Sequence, residues 1–217
     1  MENKQKSAIN QTIEYYEKNA SAFIESTIDA DVSELYRPFE KLLTPGCRIL
    51  DLGCGSGRDS KYFADKGYDV VAVDPSPAMC AQTRSLVDIP VLEMKAEDIP
   101  FSNEFDAVWA CALLLHVSKD NQSKTLRSIG EALKTGGICY CSWKYGEEER
   151  IVGGRHFTDF TEKTFEELLE EAAIFTEESI WTTYDVRSHR RGQKWLNVLV
   201  RKNLARCDFA KPPLVKI

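Results

Sequence analysis

Residues 47–59 read CRILDLGCGSGRD, and this stretch decides the fold. A short apolar run (Ile49, Leu50, Leu52) leads into glycines at Gly53, Gly55 and Gly57. Tyr62, Phe63 and Ala64 then fall at the spacing of a helix face turned toward a core. Strand, glycine turn and helix, in that order, open a doubly wound α/β sheet and put a ligand at the turn. Glycines suit such a place, because the chain must reverse sharply and let a ligand approach bare backbone.

The spacing narrows the ligand. A dinucleotide turn reads G-x-G-x-x-G, whereas here the glycines alternate as G-x-G-x-G, with Asp51 two residues before the first. A carboxylate beside the turn serves an ammonium or sulfonium group better than a pyrophosphate. The segment DLGCGSG resembles motif I of the class I S-adenosylmethionine (SAM) dependent methyltransferases. That resemblance implies that Asp51, Gly53, Gly55 and Gly57 hold the methionine part of SAM, which leaves as S-adenosylhomocysteine (SAH).

Working downstream, residues 69–74 (DVVAVD) predict a second strand ending in a carboxylate. Asp74 stands 21 residues after Gly53, close to the distance at which this fold places a ribose-binding acid. A carboxylate accepts from both ribose hydroxyls at once. By resemblance this is motif II. Residues 90–94 predict a third strand, and the loop after it, with Ala96 and Glu97, is similar to the family's adenine-edge loop. Lys95 stands where that family often has an acid, which leaves the adenine amine to Glu97 or Asp98. Residues 105–111 (FDAVWAC) are apolar enough for a central parallel strand. Ligands of open α/β sheets sit outside the strand ends, which puts Trp109 and Ala110 beside the cofactor. The loop 113–117 (LLLHV) then carries His116 toward the transferred methyl group. His116 is the first candidate for a catalytic base, with Tyr145 and His156 behind it.

Upstream, residues 10–27 and 33–43 predict amphipathic helices, the second bent or restarted at Pro38. The segment 15–20 (YYEKNA) resembles the entry helix of small-molecule methyltransferases, which implies that Tyr16 lies over the cofactor; a plain core role is the alternative. A helix over 121–134, a fifth strand over 138–145, a helix over 165–172 and a closing antiparallel pair (179–184 and 194–201) complete the pattern. The expected fold is α/β: a Rossmann-like, seven-stranded, mostly parallel sheet with helices on both faces and an N-terminal helical cap. One domain accounts for residues 1–217, with a cap to 44, a core over 45–202 and a tail over 203–217.

Composition sets limits. The 217 residues are 43% hydrophobic and 29% charged, an ordinary globular mixture. A net charge of −6 gives no overall field toward nucleic acid. No apolar run reaches the length of a membrane span, and the polar N-terminus lacks an apolar targeting core, so a cytoplasmic place is expected. The seven cysteines are scattered, and no metal-ligand spacing is legible. Cations concentrate in two long connections, residues 144–159 and 185–194. Arg155, Arg187 and Arg190 are candidates for gripping an anionic group, since arginine forks suit carboxylate and phosphate. The expectation is methyl transfer from SAM to an O, N or S atom of a small molecule carrying such a group. A tRNA or protein methyltransferase is the alternative within the class; an NAD-dependent oxidoreductase or a non-catalytic cofactor-binding partner protein lies outside it. The acceptor and the oligomeric state stay open.

Overall fold

The computed structural model describes residues 2–187 and 190–204; most of the expected tail, and His189, lie outside the described residues. Five parallel strands form its centre: β1 (Arg48–Leu52), β2 (Asp69–Asp74), β3 (Val91–Glu93), β4 (Phe105–Ala110) and β5 (Leu133–Lys144). Two further strands, β8 (Phe175–Tyr184) and β9 (Lys194–Lys202), complete a seven-stranded sheet of order β3-β2-β1-β4-β5-β9-β8. β9 runs antiparallel to both of its neighbours. Strand order therefore reverses between β1 and β4, where an open α/β sheet splits and admits a ligand.

Alternation along the strands sorts the core into two faces. Leu50, Leu52, Val71, Val73, Val108 and Cys139 pack on one side with Leu126 and Ile129 of α6 (Lys119–Ala132) and Phe165 and Leu168 of α7 (Glu162–Ala172). Ile49, Val70, Trp109 and Tyr140 pack on the other with Tyr36 and Phe39 of α3 (Ser33–Glu40) and Phe63 of α4 (Arg58–Asp65). Each such side chain, fully buried, contributes about 1.5–3 kcal/mol. Helix α5 (Pro77–Leu86) lies beyond α4 and is capped by Ser76, whose side chain accepts from the Met79 N–H.

Two helices, α1 (Glu2–Lys18) and α2 (Ala20–Thr27), precede α3. Pro38 sits inside α3, which continues through it and ends at Glu40. The connection expected as a plain loop over 144–159 instead contains a hairpin, β6 (Glu149–Val152) and β7 (Arg155–Thr158). Gly153 and Gly154 turn it with φ of 59° and 80°, values open to glycine and costly for most side chains. Among the described residues, no helix is long and apolar enough to cross a membrane.

Candidate active site

A cavity of about 1220 Å³ opens at the carboxyl ends of the parallel strands, walled by α1, α2 and the loops after β1, β2, β4 and β5. Its first half is built by the glycine turn and the end of β2. The Asp74 carboxylate accepts from the Gly55 N–H (3.0 Å) on one oxygen and the Ser76 N–H (2.9 Å) on the other. Each oxygen keeps a lone pair for a diol. Burial raises the Asp74 pKa to about 6, against the pull of those two N–H groups. Ala96, Glu97 and Met79 line the adjoining wall, two of them apolar as a purine face requires. Arg58 also lines the cavity beside the turn, its fork held by Asp59. These donor and acceptor types fit the nucleoside of SAM: a diol partner and an apolar slot with a polar edge.

Beneath this half lies a buried carboxylate pair. Asp59 accepts from the Arg58 Nε–H (2.6 Å), the Tyr36 hydroxyl (2.5 Å) and the Trp109 Nε1–H (2.8 Å). Burial opposes its charge, but the Arg58 guanidinium overrides that and holds Asp59 ionised. Asp51 is in the opposite position. Burial first, and then the Asp59 charge, raise its pKa to about 8, against the pull of the Ser60 hydroxyl that donates to it (2.5 Å). One negative charge is kept by the pair, and it sits on Asp59.

The second half of the cavity holds a hydrogen-bonded chain. His116 Nδ1 lies 2.6 Å from the His156 backbone carbonyl, which only accepts, so Nδ1 carries the proton. Nε2 is then left to accept, and the Tyr16 hydroxyl donates to it at 2.8 Å. Burial, reinforced by nearby Arg155 and Lys144, lowers the His116 pKa to about 4 and keeps the imidazole neutral. Burial also raises the Tyr16 pKa. The hydroxyl and ring thus form a neutral relay facing the cavity.

Farther out, Phe157 of β7 forms a floor with Lys144 Nζ 3.8 Å above its ring centre and the Arg155 guanidinium 5.2 Å from it. Arg155 also stacks on Tyr15 at 4.3 Å. Arg190 joins them on the cavity wall.

The sequence candidates divide accordingly. Tyr16, Gly53, Gly55, Asp74, Ala96, Glu97, His116, Arg155, Arg187 and Arg190 line this one cavity. Asp51 lies behind it, bonded to Ser60. Gly57 faces α5, where an added Cβ would stand 3.1 Å from Thr83 Cα. Trp109 stacks on Tyr140 (4.0 Å between centres) and Ala110 belongs to the α6-side core; Cys111 and Ala112, one step on, reach the wall instead. Tyr145 donates to Glu162 (2.8 Å), and the His156 side chain is turned to Thr158 (3.0 Å) and Glu149 (3.1 Å). Arg187 lines the cavity, but its fork is taken by Asp185 at 2.8 and 2.6 Å. The sequence reading did not single out Arg58, Lys144 or Phe157. The adjacent glycines 153–154 were the available sign that a hairpin would bring Phe157 and Arg155 back to the end of β5.

Sheet order, glycine turn and strand-end acid together define a nucleoside-binding α/β domain with a two-part cavity. A family match lies over its centre: residues 49–137 match the family described as a methyltransferase domain. SAM, with SAH as its product, is the cofactor of that family. An uncharacterized methyltransferase of Synechocystis is 35% identical over 106 residues, 46% of this chain and 49% of that protein. A cypemycin N-terminal methyltransferase of Streptomyces is 30% identical over 149 residues, covering 59% and 61%. The chain thus spans about half to three-fifths of the length of these curated relatives. Among solved structures, the 1,6-didemethyltoxoflavin-N1-methyltransferase of Burkholderia thailandensis, with 1,6-didemethyltoxoflavin and SAH bound, superposes with a TM-score of 0.72. At 21% identity, over 90% of this chain and 88% of that one, it shares the fold.

Proposed function

We propose that this protein transfers the methyl group of SAM to a small-molecule acceptor that enters beside Tyr16 and His116. The observation that carries the reading is a single cavity joining Asp74, the glycine turn, the Tyr16–His116 pair and a cationic outer end. Its volume lies above the usual range for one small ligand, about 300–1,000 Å³, and leaves room for an acceptor next to the cofactor. When bound, SAM supplies an electrophilic methyl carbon on a sulfonium. The chain's part is to hold the reactants in line and to keep the site dry.

The relay narrows the acceptor. A neutral imidazole of pKa about 4 is too weak to strip an alcohol before attack. It suits an acceptor proton that turns acidic as the new bond to carbon forms, as on an amine or heteroaromatic nitrogen. That proton passes to Tyr16 Oη while the Tyr16 proton passes to His116 Nε2. An acceptor already anionic needs neither. Both cases agree with a small molecule better than with nucleic acid, given the net charge of −6.

Calorimetric titration with SAH is the direct test. We expect wild type to bind in the micromolar range and Asp74→Ala to bind 10- to 100-fold more weakly, a loss of about 1.4–2.7 kcal/mol. Absence of SAH and SAM binding in wild type would discard the reading. Once labelled methyl transfer identifies an acceptor, His116→Gln should lower kcat by about 10²–10⁴-fold with SAH affinity held within about threefold. An unchanged kcat would remove His116 from the reaction.

A further inference from the structure

Two cations of the cavity wall, and Arg150 of the neighbouring cavity, have a carboxylate of their own. Arg58 is paired with Asp59, Arg150 with Asp159 and Arg187 with Asp185. Lys144, Arg155 and Arg190 differ. Among the described residues, no carboxylate lies within ion-pair distance of any of them. The Arg155 Nε–H is buried with no hydrogen-bond partner. All three line the main cavity and also a second one of about 540 Å³, and so stand at the junction between the two. They come from separate elements: Lys144 ends β5, Arg155 begins β7, and Arg190 lies in the connection from β8 to β9. Phe157 gives them a shared apolar floor.

Three cations gathered on an apolar floor repel one another and are partly stripped of water, so the empty arrangement is unfavourable. Burial, with Arg150, Arg190 and Arg155 nearby, lowers the Lys144 pKa to about 8. Burial and the neighbouring Arg187 and Arg155 lower that of Arg190. The nearest acids, Asp159 and Asp185, are engaged by Arg150 and Arg187. An anion at the junction would relieve the repulsion and satisfy the orphaned Arg155 donor. The number of cations selects its charge: two guanidinium forks and one ammonium match a compact dianion with three terminal oxygens better than a two-oxygen carboxylate.

We infer that Lys144, Arg155 and Arg190 form a subsite for a doubly charged oxyanion of the phosphomonoester type, the group by which the acceptor is held while its other end meets Tyr16 and His116. This rests on the proposed methyl transfer and names the substrate class. It replaces Arg187, whose fork is occupied, with Lys144.

The test is calorimetric, on the full chain saturated with SAH, with phenyl phosphate and benzoate as probes. Phenyl phosphate should bind at least tenfold more tightly than benzoate. Lys144→Gln, Arg155→Gln and Arg190→Gln should each weaken phenyl phosphate at least tenfold while SAH affinity stays within threefold, which shows that the variants are folded. Lys61→Gln, on the exposed face of α4, should leave both affinities unchanged. Because Lys144 is partly neutral near pH 8, phenyl phosphate binding there should take up protons, seen as heats that vary with buffer ionisation enthalpy. SAH binding with no phenyl phosphate binding, equal affinity for benzoate, or binding indifferent to the three substitutions would each overturn the subsite and leave the cofactor reading standing. Failure of SAH itself to bind would instead bring down the proposed function beneath it.

Discussion

Asp74 is held at both oxygens by backbone N–H groups, yet burial keeps its pKa near 6. The two facts together give a pH prediction. Ribose hydroxyls donate to the ionised carboxylate, so binding favours loss of its proton. SAH affinity should therefore be flat above about pH 7 and fall as pH drops through 6, approaching tenfold per pH unit below it. In Asp74→Asn, which cannot ionise, that limb should disappear; calorimetry between pH 5 and 8 on both proteins measures it. A wild-type affinity independent of pH would mean that the carboxylate does not meet the ribose. The position of this acid was legible in the sequence, because a β-branched run ending in Asp at a fixed distance from a glycine turn is a local pattern. Asp51 shows the limit of such reading. Sequence places it beside the turn, but whether its side chain faces the ligand or the protein depends on the strand's orientation and on Ser60 of α4.

At the scale of elements, α1 is what closes the cavity. Its Glu17 accepts from the Ser76 hydroxyl (2.6 Å) and the Ala78 N–H (3.1 Å), at the N-terminus of α5 where a carboxylate is favoured. Five residues earlier in the helix Thr12 accepts from the His156 N–H (3.0 Å), and Tyr16 between them reaches His116. Glu17 thus ties the helix to the cofactor half and Thr12 ties it to the hairpin. Breaking this exposed charge-assisted contact of Glu17 costs about 1.5 kcal/mol, the low end of the range for such bonds, enough to make opening of α1 roughly tenfold more frequent. Glu17→Ala should accordingly speed amide exchange over residues 10–18 and the dissociation of SAH, each by about an order of magnitude. Exchange rates equal to wild type would show that Glu17 is not a latch. Sequence gave the helix through its apolar period, but none of its tethers, because each joins residues far apart in the chain. The hairpin β6–β7 was hidden for a related reason. Arg150, Arg155 and His156 look like a solvated charge run until the Gly153–Gly154 turn pairs the two strands and turns Phe157 inward.

Over the whole molecule, buried titrating groups of opposite sense set how stability responds to pH. His116 has a depressed pKa, about 4 against an unfolded value near 6.5, so it contributes stability that is present above 6.5 and lost as pH falls toward 4. Asp51 and Asp74 have raised values, about 8 and about 6 against roughly 3.9 unfolded. Their contribution is full below about 4 and is lost as pH rises, for Asp74 by 6 and for Asp51 by 8. Between 4 and 6 the histidine offsets one of the two carboxylates, so the folded chain holds about one extra proton and stability already falls as pH rises. Between 6.5 and 8 Asp51 acts without them, because Lys144, depressed to about 8, adds its opposing slope only above that. The folded chain then holds one more proton than the unfolded chain, and stability should fall by at most about 1.4 kcal/mol per pH unit. Asp51→Asn keeps an acceptor for Ser60 and removes the titration. Urea unfolding at pH 6.5, 7.25 and 8 should show wild type losing stability across the series and Asp51→Asn holding nearly constant. Parallel curves for the two proteins would place the extra proton elsewhere and leave Asp51 ionised beside Asp59.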